Sequence, residues 1–156
     1  MDIQIISISN KVPGWVEQGF LEYAKRFPKE LKLKLIEIPP IRRTKNADIL
    51  RMKKLEGEML LSHCAPDALT ISLDVTGKTW RTEEWASQLQ KWMDEAVSLN
   101  LLIGGADGLS AECLRKSQLI WSLSPLTFPH PLVRILVAEQ FYRAWTILTH
   151  HPYHRG

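Results

Sequence analysis

The stretch Leu99-Asn100-Leu101-Leu102-Ile103-Gly104-Gly105-Ala106-Asp107-Gly108 decides the fold. A short apolar run, Leu99 to Ile103, reads as a buried strand and stops on a glycine-rich turn, where the backbone is free to take φ > 0 or to approach a ligand closely. An amphipathic pattern from Thr82 to Ala96 precedes it, and a short one from Ala111 to Lys116 follows it. A buried strand set between helices belongs to a parallel sheet, because parallel neighbours need crossover connections.

Working outward, the same alternation repeats. Strands are predicted at Ile3 to Ser9, Leu33 to Ile38, Ala68 to Leu73 and Gln118 to Leu123, with helices at Gly14 to Arg26, Ala47 to Cys64 and from Pro131 to about Leu148. The implied architecture is α/β, a mostly parallel sheet flanked by helices, in one domain over residues 1–156. Asn46 and Thr82 are expected N-caps, since acids follow each in the first turn and favour the helix dipole. Pro131 suits a first helical position, and Pro39-Pro40 closes the second strand because neither can donate to a ladder. The last helix carries Leu132, Val133, Ile135, Leu136, Val137, Phe141, Tyr142, Trp145, Ile147 and Leu148, which leave little of its circumference polar. Such a helix is either enclosed within the chain or covers the sheet and also packs on a second copy.

The 156 residues carry a net charge of only +3, but the charge is unevenly spread. Residues 25–54 hold eleven basic side chains against three acids, a local excess of +8, and the remainder of the chain is acidic. A concentrated positive field suits a polyanion, and a solvated basic face is the alternative. Cys64 and Cys113 are isolated, form no C-x-x-C, and read as small apolar residues. Asp2 stands where a signal peptide would be basic, and no apolar run approaches the ~20 residues of a membrane span. The expectation is a cytoplasmic protein with no membrane segment.

Chemistry has few obvious anchors. No G-x-G-x-x-G follows the first strand and no phosphate-loop motif occurs, so dinucleotide and triphosphate readings lose their weight. There is no G-x-S-x-G and no obvious paired carboxylate, hence no covalent nucleophile in view. The terminal His150, His151 and His154 lack accompanying cysteines or patterned acids, so no metal is expected. Ligands of open α/β sheets bind outside the carboxyl ends of strands. Three segments end there: Leu73-Asp74, Gly104-Gly105, and Leu123-Ser124-Pro125-Leu126-Thr127-Phe128, the last stiffened by Pro125, Pro129 and Pro131. Together they either form a slot for a flat ring such as adenine or merely connect elements.

The blocks Ile103 to Gly108, Leu123 to Arg134, Glu139-Gln140-Phe141-Tyr142-Arg143-Ala144-Trp145 and Pro152-Tyr153-His154-Arg155 resemble the RlmH (YbeA-like) family of ribosomal RNA large subunit methyltransferases, of the SPOUT superfamily. The resemblance spans essentially the whole chain, from Lys25-Arg26-Phe27-Pro28 through Asn46-Ala47-Asp48 to the end, with His151 a mild departure. It implies a C-terminal trefoil knot, a homodimer, and methyl transfer from S-adenosylmethionine to N3 of pseudouridine 1915 in 23S rRNA. By position, the family's cofactor contacts fall on Leu73, Gly104, Leu123, Ser124, Pro125, Leu126, Thr127 and Phe128. On that reading Tyr153, His154 and Arg155 line the target-base site, with His154 taking the N3 proton and Arg155 holding phosphate or developing negative charge. Arg42, Arg43, Lys45, Arg51, Lys53 and Lys54 would contact rRNA phosphates. Methylation at another RNA position and a non-catalytic ribosome-binding dimer are the alternatives.

Overall fold

All strand pairs in the sheet are parallel, and the reason is visible in the chain order. The computed structural model describes residues 1–155. Its elements are β1 (Asp2–Ile8), α1 (Gly14–Ala24), β2 (Lys32–Ile38), α2 (Ile49–Ser62), β3 (Leu69–Lys78), α3 (Thr82–Asp94), β4 (Leu99–Ile103), α4 (Ala111–Lys116), β5 (Leu119–Trp121) and α5 (His130–Leu148). Each strand is followed by a helix, which supplies the crossover a parallel neighbour requires. The five strands lie in the order β2-β1-β4-β3-β5. β1 and β4 pair in register from Ile3 with Leu99 to Ser7 with Ile103, and all five residues of β4 are buried. A strand covered on both faces has no use for polar alternation, so Leu99 to Ile103 is nearly all apolar.

The two faces form separate cores. On one, Phe20 of α1, Trp85 and Leu89 of α3 and Phe141 of α5 pack over Ile3, Ile5, Leu99, Leu101 and Ile103. Trp85 is its centre, stacked on Trp121 at 3.9 Å and edge-on to Phe141 at 5.2 Å. On the other face Leu60 of α2 and Cys113 of α4 cover Ile6, Ile8 and Leu102. The period-2 alternation of β1 thus sorts its isoleucines between the two layers.

Several local expectations need correction. β3 runs on to Lys78 rather than ending at Leu73: Leu73 and Lys78 both pair with Trp121, so residues 74–77 bulge out at the carboxyl edge. Gly77 permits this, because a Cβ there would lie 2.5 Å from the Ile120 carbonyl oxygen. β5 is shorter than expected, Leu119–Trp121. The α2 cap is Asp48, whose side chain accepts from the Arg51 N–H at 3.2 Å. Asn46 cannot hold that place, since Ala47 N–H bonds back to the Thr44 carbonyl and closes a turn first. Arg81, not Thr82, is the residue before α3, with its N–H donating to Glu84 Oε2 at 3.3 Å. His130 takes the first position of α5 and Pro131 the second, where a missing N–H also goes unnoticed. α5 is not enclosed: Leu136 is 36% exposed, and Leu132, Ile135, Trp145 and Leu148 are only half-buried. Among the described residues no helix is long and apolar enough to cross a membrane.

Candidate functional site

At the carboxyl edge the loops after β3, β4 and β5 close around a cavity of about 420 Å³. That volume lies within the usual range for small-molecule sites. Leu73, Gly104, Leu123, Ser124, Leu126, Thr127 and Phe128 all line it, with Ile103, Trp121 and Val133 completing an apolar floor. Pro125 is the one residue of the expected set that does not line the cavity. It is exposed at the top of the loop, and its contribution is to stiffen the chain on either side.

Sequence dictates the shape of these loops. Gly104 sits where a Cβ would come within 2.5 Å of the Gly108 carbonyl carbon, and Gly108 itself has φ +79°. The turn is closed by the Gly108 N–H donating to the Gly105 carbonyl at 3.1 Å. In the loop after β5, Ser122 donates to the Ser124 carbonyl at 3.0 Å and the Leu126 N–H donates to Ser124 Oγ at 3.0 Å. The cavity therefore offers apolar walls, serine and threonine hydroxyls and backbone groups held by short local bonds, and one flanking carboxylate, Asp74. A flat heteroaromatic ring with hydrogen-bonding edges and a neutral sugar fits such a lining; a phosphate, lacking a cation to meet it, does not.

A second cavity, about 440 Å³, adjoins the first. The chain leaves β1 toward β2 and leaves β4 toward β5, on opposite sides, and at such a reversal a crevice opens. Ile8, Ser9 and Asn10 from the end of β1, Pro40 to Arg43 from the basic loop, and Gly105, Ala106 and His130 line it. Gly105, Ala106 and His130 thus belong to both cavities. Burial, and then the nearby Arg134 guanidinium, holds the His130 imidazole below its ordinary pKa, so it is neutral at physiological pH. Sequence reading passed over His130; its placement between Pro129 and Pro131 at the start of an apolar helix was the available signal.

The basic segment divides. Arg42, Lys45, Arg51 and Lys54 are exposed and Lys53 is half-exposed, as a phosphate-contacting face needs. Arg43 departs from that expectation. Its Nη1 donates to the Ile41 carbonyl at 2.7 Å and to Glu56 Oε2 at 3.0 Å. Nη2 donates to Glu56 Oε1 at 3.0 Å and to Asp107 Oδ2 at 2.7 Å, and Nε to Asp107 Oδ2 at 3.0 Å. All five guanidinium N–H groups are taken, and none is left for a phosphate. Its acidity is weakened further by the bonds to Glu56 and then Asp107.

The described part of the tail, to Arg155, folds back along α5 and lines neither cavity. Tyr153 donates to Glu139 Oε1 at 3.1 Å and packs edge-on against Tyr142 at 4.8 Å, with the Arg143 guanidinium 4.9 Å from its ring. Burial, and next the bond with Tyr23, pushes its phenol well up. Arg143 Nη1 donates to His154 Nδ1 at 3.0 Å, which leaves Nε2 to donate to Glu83 at 3.4 Å. Arg155 is exposed, and Gly156 lies outside the described residues. Both cysteine thiols are pushed up by burial, which keeps them protonated and unreactive.

Comparison with known proteins shows the family. A family model described as "Predicted SPOUT methyltransferase" matches residues 1–154. Proteins named ribosomal RNA large subunit methyltransferase H are 49% identical in Azotobacter vinelandii and 50% identical in Pseudomonas entomophila, each over 99% of this chain and 100% of the relative. The fold is similar to a probable methylase family protein from Haemophilus influenzae, with TM-score 0.56 at 14% identity, covering 99% of this chain and 70% of that one. A protein described as "putative methylase family protein" from Neisseria gonorrhoeae gives 0.53 at 12%, covering 97% and 95%. With a matching family model over nearly its whole length and half its residues shared with named relatives, the chain belongs to the SPOUT methyltransferases and, among them, to the ribosomal RNA large subunit methyltransferase H family.

Proposed function

We propose that this chain, as a single-domain cytoplasmic enzyme, methylates N3 of pseudouridine 1915 in 23S rRNA with S-adenosylmethionine as donor. The observation that carries the reading is the convergence of Leu73, Gly104 and the Leu123 to Phe128 loop on one cavity, in a chain half identical to large-subunit rRNA methyltransferases. When bound, S-adenosylmethionine supplies a methyl group on a positively charged sulfur. The chain's share is positional. Leu73, Ile103, Leu123, Phe128 and Val133 exclude water, and the backbone of the Gly104 turn and the Leu123 to Phe128 loop reads the edges of the ring. A C-terminal trefoil knot, implied by the family, is part of the same reading.

The acceptor nitrogen must give up a proton as its bond to carbon forms and the sulfur–carbon bond breaks. His154 is our first acceptor for it, at Nδ1 once that nitrogen gives up its bond from Arg143, with Tyr153 and Arg155 beside the base. Because the tail docks away from its own cavities, it would serve the cavity of a second copy, which makes a homodimer part of the proposal; the half-buried apolar residues of α5 support one. A second reading is favoured by the wall shared between the cavities: neutral His130 stands where donor and acceptor would meet and can take the same proton. Exposed Arg42, Lys45, Arg51, Lys53 and Lys54 hold the rRNA backbone.

Methyl transfer to ribosomes carrying or lacking the pseudouridine tests the function directly. Label appearing only on pseudouridine-containing 23S rRNA is the expected result. Equal transfer to both would move the target elsewhere in the RNA, and calorimetry showing no donor binding would leave a non-catalytic ribosome-binding protein.

A further inference from the structure

Arg43 joins three parts of the molecule that the sheet does not otherwise hold together. It lies on the loop between β2 and α2, Glu56 lies in α2, and Asp107 lies in the turn after β4. Glu56 is 3% exposed, and its second partner is the Ile41 N–H at 3.0 Å, also from the basic loop. Asp107 has a distinctive place in its turn. Ile103, Gly104, Gly105, Ala106 and Gly108 all face the donor cavity, while the Asp107 carboxylate points away to Arg43 at 2.7 Å. Arg42 and Arg43 from the basic loop and Gly105 and Ala106 from the turn all line the second cavity.

A guanidinium bonded on two edges is a rigid tie: a shift of the basic loop must either carry the Gly104 to Gly108 turn with it or break two charge-assisted bonds. The turn is short and closed on itself, so movement at Asp107 is transmitted to the backbone that lines the donor cavity. We propose that Arg43 is a positioning residue that ties the RNA-facing loop to the donor-binding turn, so that RNA and methyl donor each strengthen binding of the other. The proposal rests on the reading of the first cavity as the donor site. Linkage requires the effect to be reciprocal, and couplings of this kind commonly amount to about 5-fold or more.

The test uses the full chain, radiolabelled S-adenosylhomocysteine as an inert probe of the donor cavity, and unmethylated ribosomes as the RNA. Asp107→Ala is the decisive variant. It cuts the tie at the turn but leaves buried Glu56 paired with Arg43, so the melting temperature should stay within about 2–3 °C of wild type. Wild type should bind the probe about 5-fold or more tightly with ribosomes than without, and Asp107→Ala should lose that enhancement while the KM for ribosomes rises. Arg42→Gln should do the reverse, lowering the salt slope of ribosome binding by about 1 and keeping the enhancement. Arg43→Gln should leave the salt slope alone; if that variant does not fold, Asp107→Ala alone decides. An enhancement absent in wild type, or intact in Asp107→Ala, overturns the proposal, as does an Arg43→Gln slope that falls like that of Arg42→Gln. Wild type that binds no probe at all removes the donor reading itself, and the tie with it.

Discussion

Removing the Arg43 side chain would strand Glu56, a carboxylate 3% exposed whose remaining donor is the Ile41 N–H. Breaking a buried pair from one side commonly costs about 3–5 kcal/mol, and Arg43, itself 30% exposed, belongs at the low end. Arg43→Ala should therefore lose about 3 kcal/mol in urea denaturation, while Arg42→Ala, exposed, changes stability by less than about 0.5 kcal/mol. His130 makes a separate prediction, with a definite sign. Its pKa is lower folded than unfolded, so its contribution is fully present above about pH 6.5 and is lost as pH falls through the folded value. Wild type should lose melting temperature relative to His130→Gln as pH drops from 7.5 to 5; parallel curves would mean that the imidazole charges freely where it stands.

At the scale of elements, the turn after β4 tolerates little change. A methyl group on Gly104 would meet the Gly108 backbone at 2.5 Å, and backbone cannot swing aside as a side chain can. Gly104→Ala should weaken donor binding by at least ~10-fold in calorimetry, because the turn must open into the cavity it lines. A variant that binds normally would show that the turn flexes more than its bonds suggest. The bulge in β3 was not legible beforehand. The predicted strand stops at Leu73, and only the return of Lys78 to pair with Trp121 makes Asp74-Val75-Thr76-Gly77 an excursion within one. The α2 cap was missed by two residues for a similar reason. Asn46 and Asp48 are both good caps in isolation, and the turn closed between Thr44 and Ala47 chooses between them.

For the molecule as a whole, the position of the tail makes the sharpest claim. Truncation after Pro152 should abolish turnover and leave donor affinity within a few-fold, since among the described residues none of the tail lines the first cavity. Mixing that truncation with Gly104→Ala should restore a fraction of activity, because a mixed dimer pairs one intact cavity with one intact tail from the other copy. No recovery in a mixture shown to form mixed dimers would return the tail to a structural role and leave His130 as the acceptor.

Alternation of buried strands with amphipathic helices was enough to set an α/β fold with a parallel sheet, because strand and helix periods are local properties of the chain. That the ends of β3, β4 and β5 meet at one cavity was also legible, Pro125 apart, since strand ends carry the ligands in such sheets and glycine and proline mark those ends. Three matters were decided only in three dimensions: that Arg43 is a tie rather than a phosphate contact, that His130 stands between two cavities, and that the tail docks away from both. In sequence Arg43 and Asp107 are 64 residues apart, and the pairing of charges at that distance is settled by which strands lie side by side. Periodicity carries no record of that order.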